Sequence, residues 1–168
     1  MSTITTAAPY LSLLGGSDPQ LKTYALESLN SVADELWAEI ANNISDIEEL
    51  YEDHTFGKRK LAALLASKVY YNLGDYQAAV KYALLADSEL DLDKKTEYVQ
   101  TIVSQCLEQY IQQSQKHFVD ESVEIDSHLV SIFERMVKKC VDDDDNKLAL
   151  GISLEAYRLD VIQRILEN

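Results

Sequence analysis

A chain of 168 residues, 46% of them hydrophobic, can bury one continuous core, and five Gly with two Pro leave few breakers for the turn-rich connections of an all-β fold. Fifteen Lys and Arg against 29 Asp and Glu give a formal charge of −14, which repels nucleic-acid phosphates and anionic membrane surfaces. The opening Met-Ser-Thr-Ile-Thr-Thr has neither the basic start nor the apolar run of a secretory signal. No window approaches the roughly 20 apolar residues that span a bilayer, so a soluble intracellular protein is expected.

Thr6 is placed to cap a first short helix that has Pro9 in its opening turn and ends at Gly15-Gly16. Asp18 before Pro19 starts a second. Leu21, Ala25, Leu29, Val32, Ala33, Leu36, Trp37 and Ile40 recur at three and four along it, which predicts one buried face with Trp37 in the core. Ser45 and Glu48 have the spacing of a capping box opening a short helix through Tyr51, and Asp53 to Gly57 reads as a loop.

Lys68 to Ala86 is the most informative stretch and reads as two antiparallel helices joined at Gly74-Asp75-Tyr76. A glycine can take the positive φ that closes a helix, and Asp75 can cap the next one. Tyr76 is expected in the cleft between the helices. Small residues at Ala79, Ala83 and Ala86 let the two backbones approach. The pattern is half that of a tetratricopeptide repeat: Ala63 and Ala66 stand where that repeat prefers Trp and Leu, and Asp91 replaces its terminal Pro.

The acidic segment Asp87 to Asp93 leads to a long helix with Val99, Ile102, Val103, Cys106, Tyr110, Ile111 and Ser114 on its inner side. Residues 119 to 126 carry four acids and read as an exposed connection. Leu129, Ile132, Phe133, Met136, Val137 and Cys140 then follow the helical spacing until Asp142 to Asp145 breaks it. Helices over Lys147 to Tyr157 and Asp160 to Leu166 complete the chain. The fold expected is all-α, a superhelix of antiparallel helix pairs forming a single helical repeat domain over residues 1–168.

No residue constellation points to catalysis, a cofactor or a metal. His54, His117 and His128 fall in different elements without a second ligand at metal spacing. An EF-hand loop begun at Asp142 would put Lys147 where glycine must turn the chain and Ser153 where a bidentate carboxylate belongs; the acidic run reads instead as a solvated turn favouring the next helix's N-terminus. Glu48 and Glu49 are adjacent on a helix and cannot face one substrate. Cys106 and Cys140 lie on apolar stripes and read as reduced core thiols, and the sequon Asn43-Ile44-Ser45 has no secretory route to serve it. Tyr70 and Tyr76 are expected in helix packing, while Tyr71 and Tyr82 lie off the main stripe and could equally face a groove.

The segments Thr5-Thr-Ala-Ala-Pro9, Lys22 to Leu29, Asp46 to Tyr51, Ala66 to Gly74, Ser131 to Met136, Leu148 to Gly151 and Glu155 to Asp160, in this order, resemble the N-terminal region of the largest non-ATPase subunits of the 26S proteasome regulatory particle base, the non-ATPase regulatory subunit 1 family. Departures cluster at Gly15 to Gln20, Asp87 to Lys95 and Gln115 to Asp126. The resemblance implies an N-terminal fragment of a longer, non-enzymatic scaffold in ubiquitin-dependent degradation, cytoplasmic and nuclear, with other regulatory-particle subunits as partners and neither nucleic acid nor membrane. A free-standing tetratricopeptide-type adaptor gripping a peptide is the alternative; Lys68 and Lys81, its candidate clamp residues, stand in isolation. Leu159, Ile162, Ile165 and Leu166 recur at three and four up to Asn168 without a polar capping helix, so self-association through the C-terminal helices is expected of the isolated chain.

Overall fold

The computed structural model describes residues 3–168, which form α-helices and connections with no strand among them. They divide into two compact units, one up to Asp91 and one from Leu92. In each, consecutive helices pack neighbour on neighbour, the helix-pair arrangement of an α-solenoid.

The first unit contains α1 (Ala8–Leu14), α2 (Pro19–Ala41), α3 (Ile44–Glu52), α4 (Arg59–Leu73) and α5 (Tyr76–Ala86), followed by a 3-10 turn at Asp87–Glu89. Helix α4 packs against α2, α3 and α5. That is why Leu61 to Ser67 are buried without a break and why Ala62, Ala63 and Ala66 are small, since bulk there would push away one of three neighbours. Across the α4/α5 pair Ala79, Ala83 and Ala86 are fully buried, and the buried Ser67 hydroxyl donates to the Ala79 carbonyl at 2.6 Å. Trp37 is only half-buried and Leu21 is exposed, because α2 breaks from helical geometry at Leu36 (φ −109°, ψ 15°) and its first turn is uncovered.

Two capping expectations are corrected. Ala7, not Thr6, precedes α1, although the Thr6 hydroxyl oxygen does accept from the Ala8 amide at 3.3 Å; the Ala7 amide donates to the Glu39 carboxylate of α2 at 2.8 Å, and the Thr6 hydroxyl donates to the same oxygen at 2.9 Å. A tertiary carboxylate thus serves the positive end of α1. Ser45 and Glu48 form no capping box either, because α3 already begins at Ile44 and Asn43 precedes it. Asp18 and Asp75 cap as expected, accepting from the Gln20 amide at 2.9 Å and the Ala78 amide at 3.0 Å.

The second unit contains α6 (Glu97–Val119), α7 (Ser127–Asp142), α8 (Asn146–Glu155) and α9 (Leu159–Glu167). Helices α6 and α2 are equally long, at 23 residues. The stripes expected on α6 and α7 are buried apart from the half-buried Ile111 and Met136. On α9 the expected apolar face is divided: Val161 and Ile165 are buried, while Leu159 and Leu166 are exposed.

Three corners share one closure. After α4, α7 and α8 a residue with positive φ (Gly74 at 81°, Asp144 at 60°, Tyr157 at 55°) is followed by an amide that returns to the helix: Asp75 to the Tyr70 carbonyl, Asp145 to that of Cys140, Arg158 to that of Ser153. Only the first corner uses glycine. A Cβ built on Gly74 meets nothing within 4 Å, so Gly74→Ala is expected to cost about 1 kcal/mol from backbone conformation alone. By the same physics Asp144→Gly should stabilise by about 0.5–1 kcal/mol. Paired thermal melts check both; shifts of the same sign would show that these corners are not held in the left-handed conformation.

Candidate functional site

A polar cluster of the first unit is built on Glu48. Its position in the second turn of α3 points the carboxylate at α4 and α5, where Oε1 accepts hydrogen bonds from the Tyr70 hydroxyl at 2.6 Å and the Tyr82 hydroxyl at 2.9 Å. The two rings stack at 5.7 Å with 6° between planes, and Tyr51 meets Tyr82 edge-on at 6.5 Å. The bond to Glu48, with burial behind it, pushes the Tyr70 hydroxyl up to about 12. Burial first and then the same carboxylate raise Tyr82 further. Both are protonated donors at neutral pH, and the cluster joins three helices instead of presenting a nucleophile.

Tyrosine placement reverses part of the expectation from spacing. Tyr82 is buried, whereas Tyr76 is 51% exposed and leans on Tyr71 with 5.7 Å between ring centres, outside the α4/α5 cleft. Arg59 lies over the Tyr51 ring at 5.1 Å and donates to the Tyr51 carbonyl at 3.3 Å and to His54 Nδ1 at 2.9 Å. Lys68 donates to the Asn30 carbonyl at 2.9 Å, and Lys81 sits 5.1 Å above the Tyr82 ring.

In the second unit Arg158 is the hub. Its guanidinium donates to both carboxylate oxygens of Asp160 at 2.7 and 2.6 Å, to the Tyr110 hydroxyl at 2.7 Å and to Glu134 at 2.9 Å, and lies over Phe133 at 5.4 Å. Tyr110 and Phe133 stack at 4.4 Å in the core. Nothing in the spacing of these residues announced the network; the one signal was an arginine inside the short gap between two helical patterns.

The remaining candidates do not converge. His117 Nδ1 is 2.7 Å from the Val123 carbonyl and His128 Nδ1 is 3.2 Å from Asp126. Among the described residues no three His, Cys, Asp or Glu side chains gather as for a metal ion. Cys106 and Cys140 are buried free thiols, and desolvation pushes Cys106 up to about 12, which leaves it protonated and inert. In the acidic run Asp145 caps α8 through the Leu148 amide at 3.2 Å, Asp142 pairs with Lys138, and Asp143 pairs with Lys139 at 2.9 Å. The carboxylates of Asp142, Asp143 and Asp145 are engaged locally. What the surface does offer is exposed apolar area, in unit 2 at Phe118, Val119, Leu148, Leu154, Tyr157, Leu159 and Leu166, which suits contact with another protein better than chemistry.

Comparison with known proteins supplies the lineage that geometry of this kind cannot. The family model described as the 26S proteasome subunit RPN2, N-terminal domain, matches residues 5–168. The chain belongs to this family. Among curated RPN2 proteins, the 26S proteasome regulatory subunit RPN2 of Saccharomyces cerevisiae is 54% identical over 170 residues and that of Eremothecium gossypii 55% over 163, matching 98% and 97% of this chain. The 26S proteasome non-ATPase regulatory subunit 1 of Drosophila melanogaster is 40% identical over 163 residues, 95% of this chain. These alignments cover 18%, 18% and 16% of the relatives' own lengths, so the chain spans less than a fifth of the RPN2 proteins it matches. The RPN2 relationship agrees with the resemblance seen in the sequence and with the helix-pair architecture. Among the described residues no helix is long and apolar enough to cross a membrane.

Proposed function

We propose that the chain is the N-terminal helical part of a non-enzymatic scaffold in the base of the proteasome regulatory particle, and that it takes part in subunit contacts for ubiquitin-dependent degradation in cytoplasm and nucleus. The observation that carries this reading is similarity along almost the whole chain to proteins named as regulatory subunits of the 26S proteasome. The helix-pair packing and the Glu48 and Arg158 clusters, which join neighbouring helices, suit a scaffold. The adaptor alternative finds no support in Lys68, whose ammonium is used on a main-chain carbonyl, or in Lys81, which covers a ring of its own unit. Affinity purification of the tagged chain followed by mass spectrometry is expected to return regulatory-particle subunits. Recovery of none, with a stable complex to a short peptide motif instead, would replace this reading by the adaptor one.

The exposed side of α9 supports a second element of the proposal, that the isolated chain self-associates at high concentration. Leu159 and Leu166 are 68% and 70% exposed, and Ile162 between them is half-buried. Because Ile165 is internal, the informative variant is Leu159→Glu with Leu166→Glu. Light scattering should show concentration-dependent mass growth for the parent and a monomer for the variant; a parent that stays monomeric throughout would overturn it.

A further inference from the structure

Where α6 ends, the second unit keeps apolar side chains in water that its own packing could have covered. Val119 is 85% exposed, Phe118 65% and Tyr157 49%, and the rings of Phe118 and Tyr157 meet edge to face at 5.2 Å. Val119, Val123 and Tyr157, with Gln112, Gln115, Lys116 and Asp120, line a groove of about 590 Å³.

The walls of this groove are held by polar bonds, not by collapse of its apolar residues. The 120–126 connection is pinned to α6 by the 2.7 Å contact of His117 Nδ1 with the Val123 carbonyl and by the Asp126 amide donating to Gln113 at 2.9 Å. The Asp120 carboxylate accepts from the Ser122 amide at 3.0 Å and hydroxyl at 2.7 Å, which holds its pKa low and keeps it ionised. The end of α8 is fixed to α6 by Ser114 and Gln115, which donate to the Ala156 and Glu155 carbonyls at 2.6 and 2.7 Å. The apolar surface is therefore preorganised, which lowers the ordering cost of a contact.

Charge then selects the occupant. Two helices, α6 at Val119 and α8 at Glu155, bring their C-terminal, partially negative ends to this place. Asp120 lines the groove, Glu121 and Glu124 stand on the same exposed connection, and Glu155 closes α8 two residues before Tyr157; Lys116 is the one cation in the lining, and His117 is tied to Val123. We propose that this groove is a docking site for a basic amphipathic protein segment, whose apolar side covers Phe118, Val119 and Tyr157 while its Lys or Arg side chains meet the carboxylates and the two helix ends.

The test uses the whole chain and a fluorescent peptide of about 18 residues, five helical turns, with leucines on one face and lysines on the other. Anisotropy titration is expected to show salt-sensitive binding, and the peptide with glutamate in place of every lysine should not bind. Phe118→Ser with Val119→Ser should weaken binding about tenfold or more, and Glu121→Lys with Glu124→Lys, at exposed positions, should do the same. Leu73→Ser with Tyr76→Ser, on the other unit's apolar patch, should change nothing. Equal binding of both peptides, equal loss from the Leu73 pair, insensitivity to both the Phe118 and the Glu121 variants, or light-scattering mass growth that persists in Leu159→Glu with Leu166→Glu and is lost with Phe118→Ser and Val119→Ser, which would put a second copy of the chain on this surface, would each overturn the proposal.

Discussion

Glu48→Ala is expected to lower stability by about 2–3 kcal/mol, because two tyrosine hydroxyls lose their shared acceptor and one of them, on Tyr82, belongs to a buried side chain. Tyr70→Phe and Tyr82→Phe should each cost about 1–2 kcal/mol, since Glu48 keeps one donor in either variant. Their double variant should cost less than the sum, as the carboxylate they share then regains water. Glu48→Gln retains an acceptor and should be mild. The pH dependence has a definite sign. Tyr70 is raised to about 12 in the folded state, against about 10 for an unperturbed tyrosine, so its stabilisation is complete below pH 10 and is lost as pH rises towards 12. The gap between parent and Glu48→Gln should narrow across that interval in denaturant melts. A gap constant with pH would mean that Glu48 acts only through packing.

Much of this fold could be read from local pattern, and the failures have a common cause. Gly74-Asp75 and the alanines at 79, 83 and 86 were legible because a turn and its two neighbouring helices lie within twenty residues, so chemistry and partner appear together. Glu48 was misread as half of a capping box because its partners, Tyr70 and Tyr82, are distant in sequence and only α3 packing on α4 brings them close. Tyr76 was misplaced and Tyr82 left open for the same reason: spacing identifies the face that α4 covers but is silent about the further face that meets the Glu48 carboxylate. The corners at Asp144 and Tyr157 gave no glycine to recognise, and their signal lay one residue later, in the capping Asp145 and the anchoring Arg158. Residues 119 to 126 beside the groove were read as an exposed connection; Val119 instead ends α6, and the rest is a connection with Val123 and Ile125 half-buried. What spacing could not supply was the second helix end, delivered there by α8 from more than thirty residues away.

Arg158→Ala is expected to destabilise the second unit by about 2–3 kcal/mol, by removing the donor to Tyr110 and Glu134 and uncovering the face of Phe133. Arg158→Lys should recover less than half. One ammonium has no planar fork with which to hold Asp160 through two oxygens while also reaching Tyr110 and Glu134. Asp160→Asn should cost much less, since that side chain is 62% exposed and water replaces what the arginine gave it. Acid titration separates ion pairing from packing. The Arg158 hydrogen bonds hold the Asp160 carboxyl down at about 2, below the ordinary value of about 3.9, so this contribution is present above pH 4 and is lost as pH falls towards 2. The difference in melting temperature between parent and Arg158→Ala should therefore shrink through that window without vanishing, the remainder being the cover over Phe133 and the neutral bond to Tyr110. If Arg158→Lys melted like the parent, or the difference were flat from pH 4 to 2, the guanidinium fork would not be what holds α9 to α6 and α7.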